Sequence, residues 1–269
     1  NKSYSYDQLI WAADLKTFYN ITSTAGLSQK IIKKADAEKN KMMECRGGDS
    51  VFSLFIEVDE PVESFGEIAN GHFFYTPTPK GLGEIHRDEL KTMLAEWDKI
   101  NNERLKSWID RFTELNTYEI SVPGLKDLDL VPEGKSGLII SFLAEYDLFK
   151  KLKDSGKYHD FKDELSEKVI EVISNSVYPF LKDKVIKYFT FSPLNIKKRV
   201  GSSEGAITGW SFEKPVPVLD KIQFANRSVT TPIPSVFQAG QWAYSPAGVP
   251  MSILTGKIAA DKVLKKAKP

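Results

Sequence analysis

One cysteine, Cys45, stands in 269 residues. That excludes an intramolecular disulfide framework and fits a reducing compartment, so a cytoplasmic location is expected. The three histidines, His72, His86 and His159, lie far apart and show no His/Cys/Glu spacing suited to a metal. His72 and His159 read as surface or hydrogen-bonded residues. No apolar run approaches membrane-spanning length. Neither charge dominates: 37 Lys+Arg against 36 Asp+Glu leave a formal net charge of +1, which gives no reason to expect a nucleic-acid partner. Neither a G-x-S-x-G elbow nor a P-loop occurs. Gly81-Leu82-Gly83 begins a G-x-G pattern, but its third glycine position is His86, and Thr76-Pro77-Thr78-Pro79 precedes it instead of a strand. The match is a decoy. Asn20-Ile21-Thr22 and Asn226-Arg227-Ser228 fit a glycosylation acceptor, but without a secretory signal they read as chance.

What is present describes a globular chain, with 41% hydrophobic and 27% charged residues, long enough for one large domain or two modest ones. Gln8 to Trp11 reads as a strand, Leu15 to Tyr19 as a short turn or helix, and Leu27 to Glu44 as a Lys-rich helix. Arg46-Gly47-Gly48-Asp49 is a break. Strands are expected at Val51–Val58, His72–Tyr75, Tyr118–Val122, Gly137–Leu143 and Val185–Phe191. Helical spacing runs from Asp88 to Glu114 with an interruption at Asn101-Asn102, which predicts two helices or one bent one. The clearest helix covers Asp160 to Val177, where Phe161, Leu165, Val169, Val172, Ile173 and Val177 share a face and Pro179 follows. Hairpin-like neighbours outnumber βαβ units. The expected fold class is therefore α+β / α/β: a mixed, largely antiparallel sheet with helices on one face.

The last segment, Val236 to Leu264, carries the chemistry-bearing pattern. A short apolar strand runs into Ala239-Gly240, then an aromatic loop, then Gly248-Val249-Pro250 opening a helix. Proline suits the first helical turn, where its missing N–H would have no partner. The unpaired N–H groups and positive dipole end at a helix start receive an anion or an electron-rich group. In the helix, Met251, Leu254 and Ile258 form an apolar stripe, while Gly256, Ala259 and Ala260 allow close packing. By itself this is a strand–loop–helix that a ligand could approach, and an ordinary ligand-free turn explains it equally well.

In sequence order, these residues resemble the C-terminal part of FAD-dependent oxidoreductases of the phytoene desaturase, carotenoid isomerase and protoporphyrinogen oxidase type, which share the amine-oxidase flavoprotein fold. That family ends on an apolar-x-A-G-[DE] strand, a G-V-P-like turn and an S-G-x-x-A-A helix. Here the corresponding residues are Phe237 to Gln241, Gly248-Val249-Pro250 and Thr255 to Ala260. Glu204 to Trp210 looks like the glycine-containing segment before the return to the flavin domain, and Thr230 to Ser235 like the stretch before the last strand. Gln8 to Asp14, with Ala12 and Ala13, is similar to the strand that leaves the flavin domain. The likeness is sharp only in the last third.

The resemblance implies a hydrophobic small-molecule substrate with a C–C or C–N bond to be oxidised, isomerised or saturated, and FAD as cofactor. It implies cofactor contacts at Ala12, Ala13, Gly240, Gln241, Trp242, Gly248, Val249, Pro250 and Met251. Gly240 and Gln241 would lie by the ribityl–pyrophosphate portion, with backbone N–H groups of Gly248 to Pro250 at the isoalloxazine pyrimidine edge. Trp242 and Tyr244 either flank the ring or form a structural aromatic loop. Gln241 departs from the family, which usually has a carboxylate there. The G-x-G-x-x-G unit is absent from these residues. Together with the start at Asn1 almost directly before a strand, this leads to the expectation of a fragment: residues 1–20 as the outgoing strand of an incomplete, Rossmann-like FAD-binding domain, 21–209 as the substrate-binding domain, and 210–269 as the return. The missing N-terminal FAD-binding segment would be a partner, and FAD would be absent or weakly held without it. Family members acting on lipids often touch membranes, which neither the charge balance nor any anchor supports here. Two other readings remain: a cofactor-free apolar-ligand carrier or interaction domain, and a flavin amine oxidase.

Overall fold

The structure, a computed structural model, describes residues 2–267. Asn1 and residues 268–269, at the outer ends of the first and last expected segments, lie outside the described residues. In chain order the strands are β1 (Leu9–Trp11), β2 (Ser50–Val58), β3 (His72–Tyr75), β4 (Tyr118–Ser121), β5 (Ser136–Ala144), β6 (Val185–Phe191) and β7 (Val236–Gln238). The helices are α1 (Leu15–Ile21), α2 (Gln29–Met43), α3 (Val62–Gly66), α4 (Gly83–Ala95), α5 (Asn102–Leu115), α6 (Tyr146–Asp154), α7 (Tyr158–Ser176), α8 (Leu181–Lys184), α9 (Pro193–Val200), α10 (Ala225–Ser228) and α11 (Val249–Ala267). The chain divides into two compact units, Asn1–Ser50 with Leu194–Pro269, and Val51–Pro193.

The unit Val51–Pro193 is built on a five-stranded sheet in the order β3-β4-β5-β2-β6, whose β3–β4, β4–β5 and β2–β6 ladders are antiparallel. Alternation along β2 sends Phe52, Leu54, Ile56 and Val58 inward, as the period of two in a half-buried strand requires. On that face Phe52 and Phe142 stack at 5.3 Å, Phe149 of α6 lies 5.7 Å from Phe52, and Phe112 of α5 meets Phe142 edge-on at 5.6 Å. Phe161 of α7 closes the cluster against Phe149 and Trp108. The helices therefore cover one face of a largely antiparallel sheet, in agreement with the expected fold class. Asn101 separates α4 from α5 for a local reason: its side chain caps α5 by accepting from Arg104 N at 2.8 Å. Helix α6 was not anticipated, although Leu148, Phe149 and Leu152 make an i, i+1, i+4 stripe that is fully buried.

The opposite face stays open. Register places Phe55 across from Phe189 and Glu57 across from Lys187, and the two phenyl rings stack at 4.7 Å with a 2° interplanar angle. Ser53 and Ser141 join β2 to β5 at 2.8 Å on this side. Phe74 is 69% exposed, Phe189 62% and Leu143 55%. At one end Lys187 and Lys135 reach Glu57 at 2.9 and 3.2 Å, and their hydrogen bonds, Lys187's foremost, hold the Glu57 carboxyl below its ordinary range. The result is an apolar sheet face ending in an ion cluster.

The other unit is organised by β1 and β7, paired in parallel with Ile10 opposite Phe237. Around them Leu15, Phe18, Met42, Trp210, Val236 and Trp242 form a core. The sequence-based division assigned residues 21–209 to the middle domain. In the structure residues 21–50 and 194–209 group with the chain ends, tied there by Ser211 N to Arg46 O at 3.0 Å and Ser203 N to Asp14 Oδ2 at 2.7 Å. Among the described residues, no helix is long and apolar enough to cross a membrane.

Candidate functional site

The parallel pairing of β1 and β7 requires both strands to end on the same side, and the carboxyl ends of parallel strands are where open α/β sheets bind ligands. Ala239 N donates to Trp11 O at 2.9 Å, so Ala12 and Gly240 come next to each other. A side chain built on Gly240 would sit 3.5 Å from Ala12 O, and Gly240 has φ +83°, a conformation most open to glycine. Gly240 N donates to Thr255 Oγ1 at 3.0 Å, and Thr255 Oγ1 in turn donates to Met251 O at 2.8 Å. These bonds lock the end of β7 to the first turns of α11. Sequence thus brings Ala12, Gly240 and the start of α11 to one end of the strand pair. Ala12, Ala13, Gly248, Val249 and Pro250 are exposed, and Met251 is half-buried.

Gly248 O accepts from Ser252 N at 2.9 Å, which makes Gly248 the cap and Pro250 the second residue of the helix. The earliest N–H groups of a helix have no partner within it, and proline contributes none. Those of Val249 and Met251 are therefore available at the positive end of a 19-residue helix. This arrangement fits an electron-rich ring edge or an oxyanion.

The aromatic loop is placed differently. Trp242 is 2% exposed and packs edge-on against Trp210 at 4.8 Å, while Trp210 Nε1 donates to Trp242 O at 2.9 Å. Tyr244 is also buried, its hydroxyl donating to Asp220 O at 2.9 Å. Both aromatics are taken up by the core of their unit. The Gln241 amide faces inward along the same loop: its nitrogen donates to Ile207 O at 2.8 Å and its oxygen accepts from Trp242 Nε1 at 3.3 Å. A carboxylate could not make the first of these bonds, which gives a physical reason for glutamine at this position. Gly209, at φ +76°, lies so close to the Gln241 carbonyl that any side chain there would overlap it.

Behind the site lies a set of polar contacts that the sequence pattern did not mark. Asp14, 4% exposed, caps α1 by accepting from Thr17 N at 2.7 Å with Oδ1. Its Oδ2 accepts from Ser203 N at 2.7 Å. Glu204 Oε2 accepts from Gly47 N at 2.7 Å, and Lys16 Nζ donates to Cys45 O at 2.8 Å. Asp14 directly follows Ala12-Ala13, so these bonds hold the end of β1 against the segment 203–210. An acidic residue immediately before an apolar helical stripe, Leu15, Phe18 and Tyr19, was the available signal.

Of the histidines, His72 meets Glu119 at 2.8 Å on the surface, and His86 is buried against the stacked pair Trp108 and Phe112, each ring 5.1 Å away. Burial pushes the His86 imidazole below its ordinary pKa, Glu89 opposing and Arg111 adding to the shift. Among the described residues, no group of acidic, histidine and cysteine side chains is disposed to hold a metal.

No family model matches the chain. In sequence it is 25% identical over 224 residues to an all-trans-retinol 13,14-reductase from Danio rerio. That alignment covers 80% of this chain and 34% of the relative, so the chain spans only part of that protein's length. In fold it is similar to the crystal structure of an oxidoreductase from Methanosarcina mazei, with a TM-score of 0.50 and 14% identity, covering 98% of this chain and 44% of that one. The second likeness bears on the fold.

Proposed function

We propose that the chain supplies the substrate-binding domain and the isoalloxazine-side contacts of an FAD-dependent oxidoreductase that acts on a hydrophobic C–C or C–N substrate. The observation that carries this reading is the junction of Ala12, Gly240 and the open first turn of α11 at the carboxyl ends of two parallel strands. The sequence similarity to a reductase of all-trans-retinol, a hydrophobic polyene, supports the substrate class. In this reading a segment preceding Asn1 provides the pyrophosphate-binding turn, and flavin, when bound, supplies the hydride chemistry.

The chain's own residues have four tasks. Gly240 and Ala12, lacking bulk, let the cofactor approach the strand ends. The N–H groups of Val249 and Met251 stabilise negative charge on the ring edge. Gln241 and Trp242 do not reach for the cofactor but keep the loop closed beneath it. The open sheet face with Phe55, Phe189, Leu143 and Phe74 receives the apolar substrate and excludes water from it.

That face also favours the second reading, a carrier of apolar ligands without a cofactor. The two are separated by producing the chain with its native preceding sequence and recording an absorption spectrum. Stoichiometric flavin bands are expected, and a colourless, folded protein would refute the oxidoreductase reading. In the same background Gly248→Val should weaken flavin retention at least tenfold, because a branched side chain at φ +148° disturbs the start of α11. Unchanged retention would sink the assignment of this helix start.

A further inference from the structure

Helix α11 covers β7: its Ile258, Ala259 and Val263 pack with Phe237. Phe237 stands opposite Ile10 in the parallel register, so the two side chains leave the strand pair on the same face. Yet Phe237 is 3% exposed and Ile10 39%. The layer that holds α11 therefore covers β7 and leaves β1 bare. On the far edge of β7 the place is taken, since Gln238 N donates to Val229 O at 2.9 Å and α10 meets α11. Among the described residues, none pairs with the outer edge of β1. Leu9 N donates to Ser235 O and Trp11 O accepts from Ala239 N, so Ile10 between them turns its N–H and C=O toward that free edge. Two parallel strands of three residues make an incomplete sheet, because parallel sheets are covered on both faces and two strands alone are marginal.

Helix α11 is also apolar on a second side. Val249, Ile253, Ala260 and Leu264 are exposed and, with Gly256, follow the i, i+4, i+7, i+11, i+15 spacing of one helical face. No charged residue interrupts this stripe. The solvated face begins beside it, where Lys257 and Asp261 form an ion pair at 2.7 Å. Glycine weakens a helix interior, and a side chain built on Gly256 would meet nothing within 4 Å. The gap over Gly256 is the space that a second helix needs to approach closely. A helix that is apolar on more than its core-facing side is covered there by another element.

We propose that the bare side of β1 and the outer stripe of α11 form one docking surface for a strand followed by an amphipathic helix. The strand pairs in parallel with β1 through Ile10, and the helix lies beside α11, approaching it most closely at Gly256. A parallel strand needs such a crossover helix on the sheet face, and the uncovered position over β1 lies in the layer of α11. The occupant is the sequence preceding Asn1 in the intact protein; both proteins that the chain resembles extend well beyond the matched part. The proposal rests on the flavin reading only for the presence of that sequence, and its surfaces are read without flavin.

The test compares the chain alone with the protein carrying its native preceding sequence, both free of flavin, by amide hydrogen exchange and thermal unfolding. Peptides spanning Leu9–Trp11 and Val249–Leu264 should exchange at least about tenfold more slowly in the longer protein. Gly256→Leu should raise the Tm of the chain alone by about 2–4 °C, because leucine is the better helix former and meets nothing there. In the longer protein the same change should lower Tm, since it fills the gap that the docked helix needs. Within the longer protein, Ile253→Gln should lower Tm, while Ile222→Gln, at a similarly exposed residue outside the surface, should not. Equal exchange in the two proteins, a Tm raised by Gly256→Leu in both, or equal effects of the two glutamine changes overturns the proposal. So does a chain that dimerises alone with these peptides already protected, which would make a second copy the occupant. Flavin added afterwards separates the two readings: protected peptides without flavin binding support the docking surface and refute the flavin site, and flavin bands with unprotected peptides refute the docking surface alone.

Discussion

Gly209→Ala probes how the candidate loop is held. At φ +76° an alanine is strained by about 1–2 kcal/mol, the cost of placing an L side chain in the left-handed region. Its Cβ would also overlap the Gln241 carbonyl oxygen and approach the Ala247 Cβ at 3.2 Å. Neither side can retreat without cost. Gly209 O is held by Gly48 N at 2.7 Å, and Trp242 O by Trp210 Nε1 at 2.9 Å. Weakening one such bond forfeits about 0.5–1.5 kcal/mol, so the substitution should cost about 1.5–3.5 kcal/mol in all. Gly201→Ala is the control, because Gly201 has nearly the same φ, +74°, with nothing within 4 Å of the added atom. It should cost only the backbone part, about 1–2 kcal/mol. Urea unfolding followed by tryptophan fluorescence measures the difference. With an m-value of about 2 kcal/mol/M, a loss of about 3 kcal/mol lowers the midpoint by roughly 1.5 M. If the two variants shift the midpoint equally, the close approach between Gly209 and the Gln241 carbonyl is not a constraint, and the reasoning about the loop fails.

Two further outcomes test other parts of the structure. The His86 pKa lies below its ordinary value of 6.5 in the folded chain, chiefly through burial. The unfolded chain therefore takes up the proton first. Stability is fully present above pH 6.5 and is lost as pH falls below it toward the folded pKa. His86→Leu should flatten that part of the profile in urea midpoints taken from pH 8 to pH 5, and an unchanged slope would exclude His86 as its source. Asp14→Ala removes both the cap of α1 and the partner of Ser203 N, for an expected loss of about 2–4 kcal/mol. Asp14→Asn, which keeps one acceptor oxygen for the cap, should lose about half as much in thermal unfolding; equal losses would mean that only one of the two bonds matters.

Much of the local structure was legible because it depends on local rules. The alternation in Val51–Val58 and the stripe from Phe161 to Ile173 state their periods directly, and β3 and β6 have the bounds their composition indicates. The break at Asn101 is a capping residue and could be read as one. Helix α6 was passed over because Tyr146–Asp154 is short and lies among lysines, so that packing of Phe149 on Phe52, not the length of the pattern, stabilises it. In the candidate site, Gly240 and Gly248-Val249-Pro250 could be singled out from spacing. The inward turn of Gln241, Trp242 and Tyr244 could not.

By itself, the sequence determined the positions of the longer strands and of the strongly periodic helices, the turn glycines Gly240 and Gly248, and the absence of cysteine pairing. These follow from side-chain periodicity and backbone sterics, which act over a few residues. Tertiary structure alone decided that Leu9–Trp11 and Val236–Gln238 run side by side, since hydrogen bonds between strands more than two hundred residues apart leave no mark in either segment. It also decided how residues 21–50 and 194–209 group, because Arg46 O accepts from Ser211 N and Asp14 Oδ2 from Ser203 N, partners far away in the sequence. The exposure of the helix start at Val249 and the burial of Trp242 were settled in the same way. Each depends on what the completed fold brings against that residue.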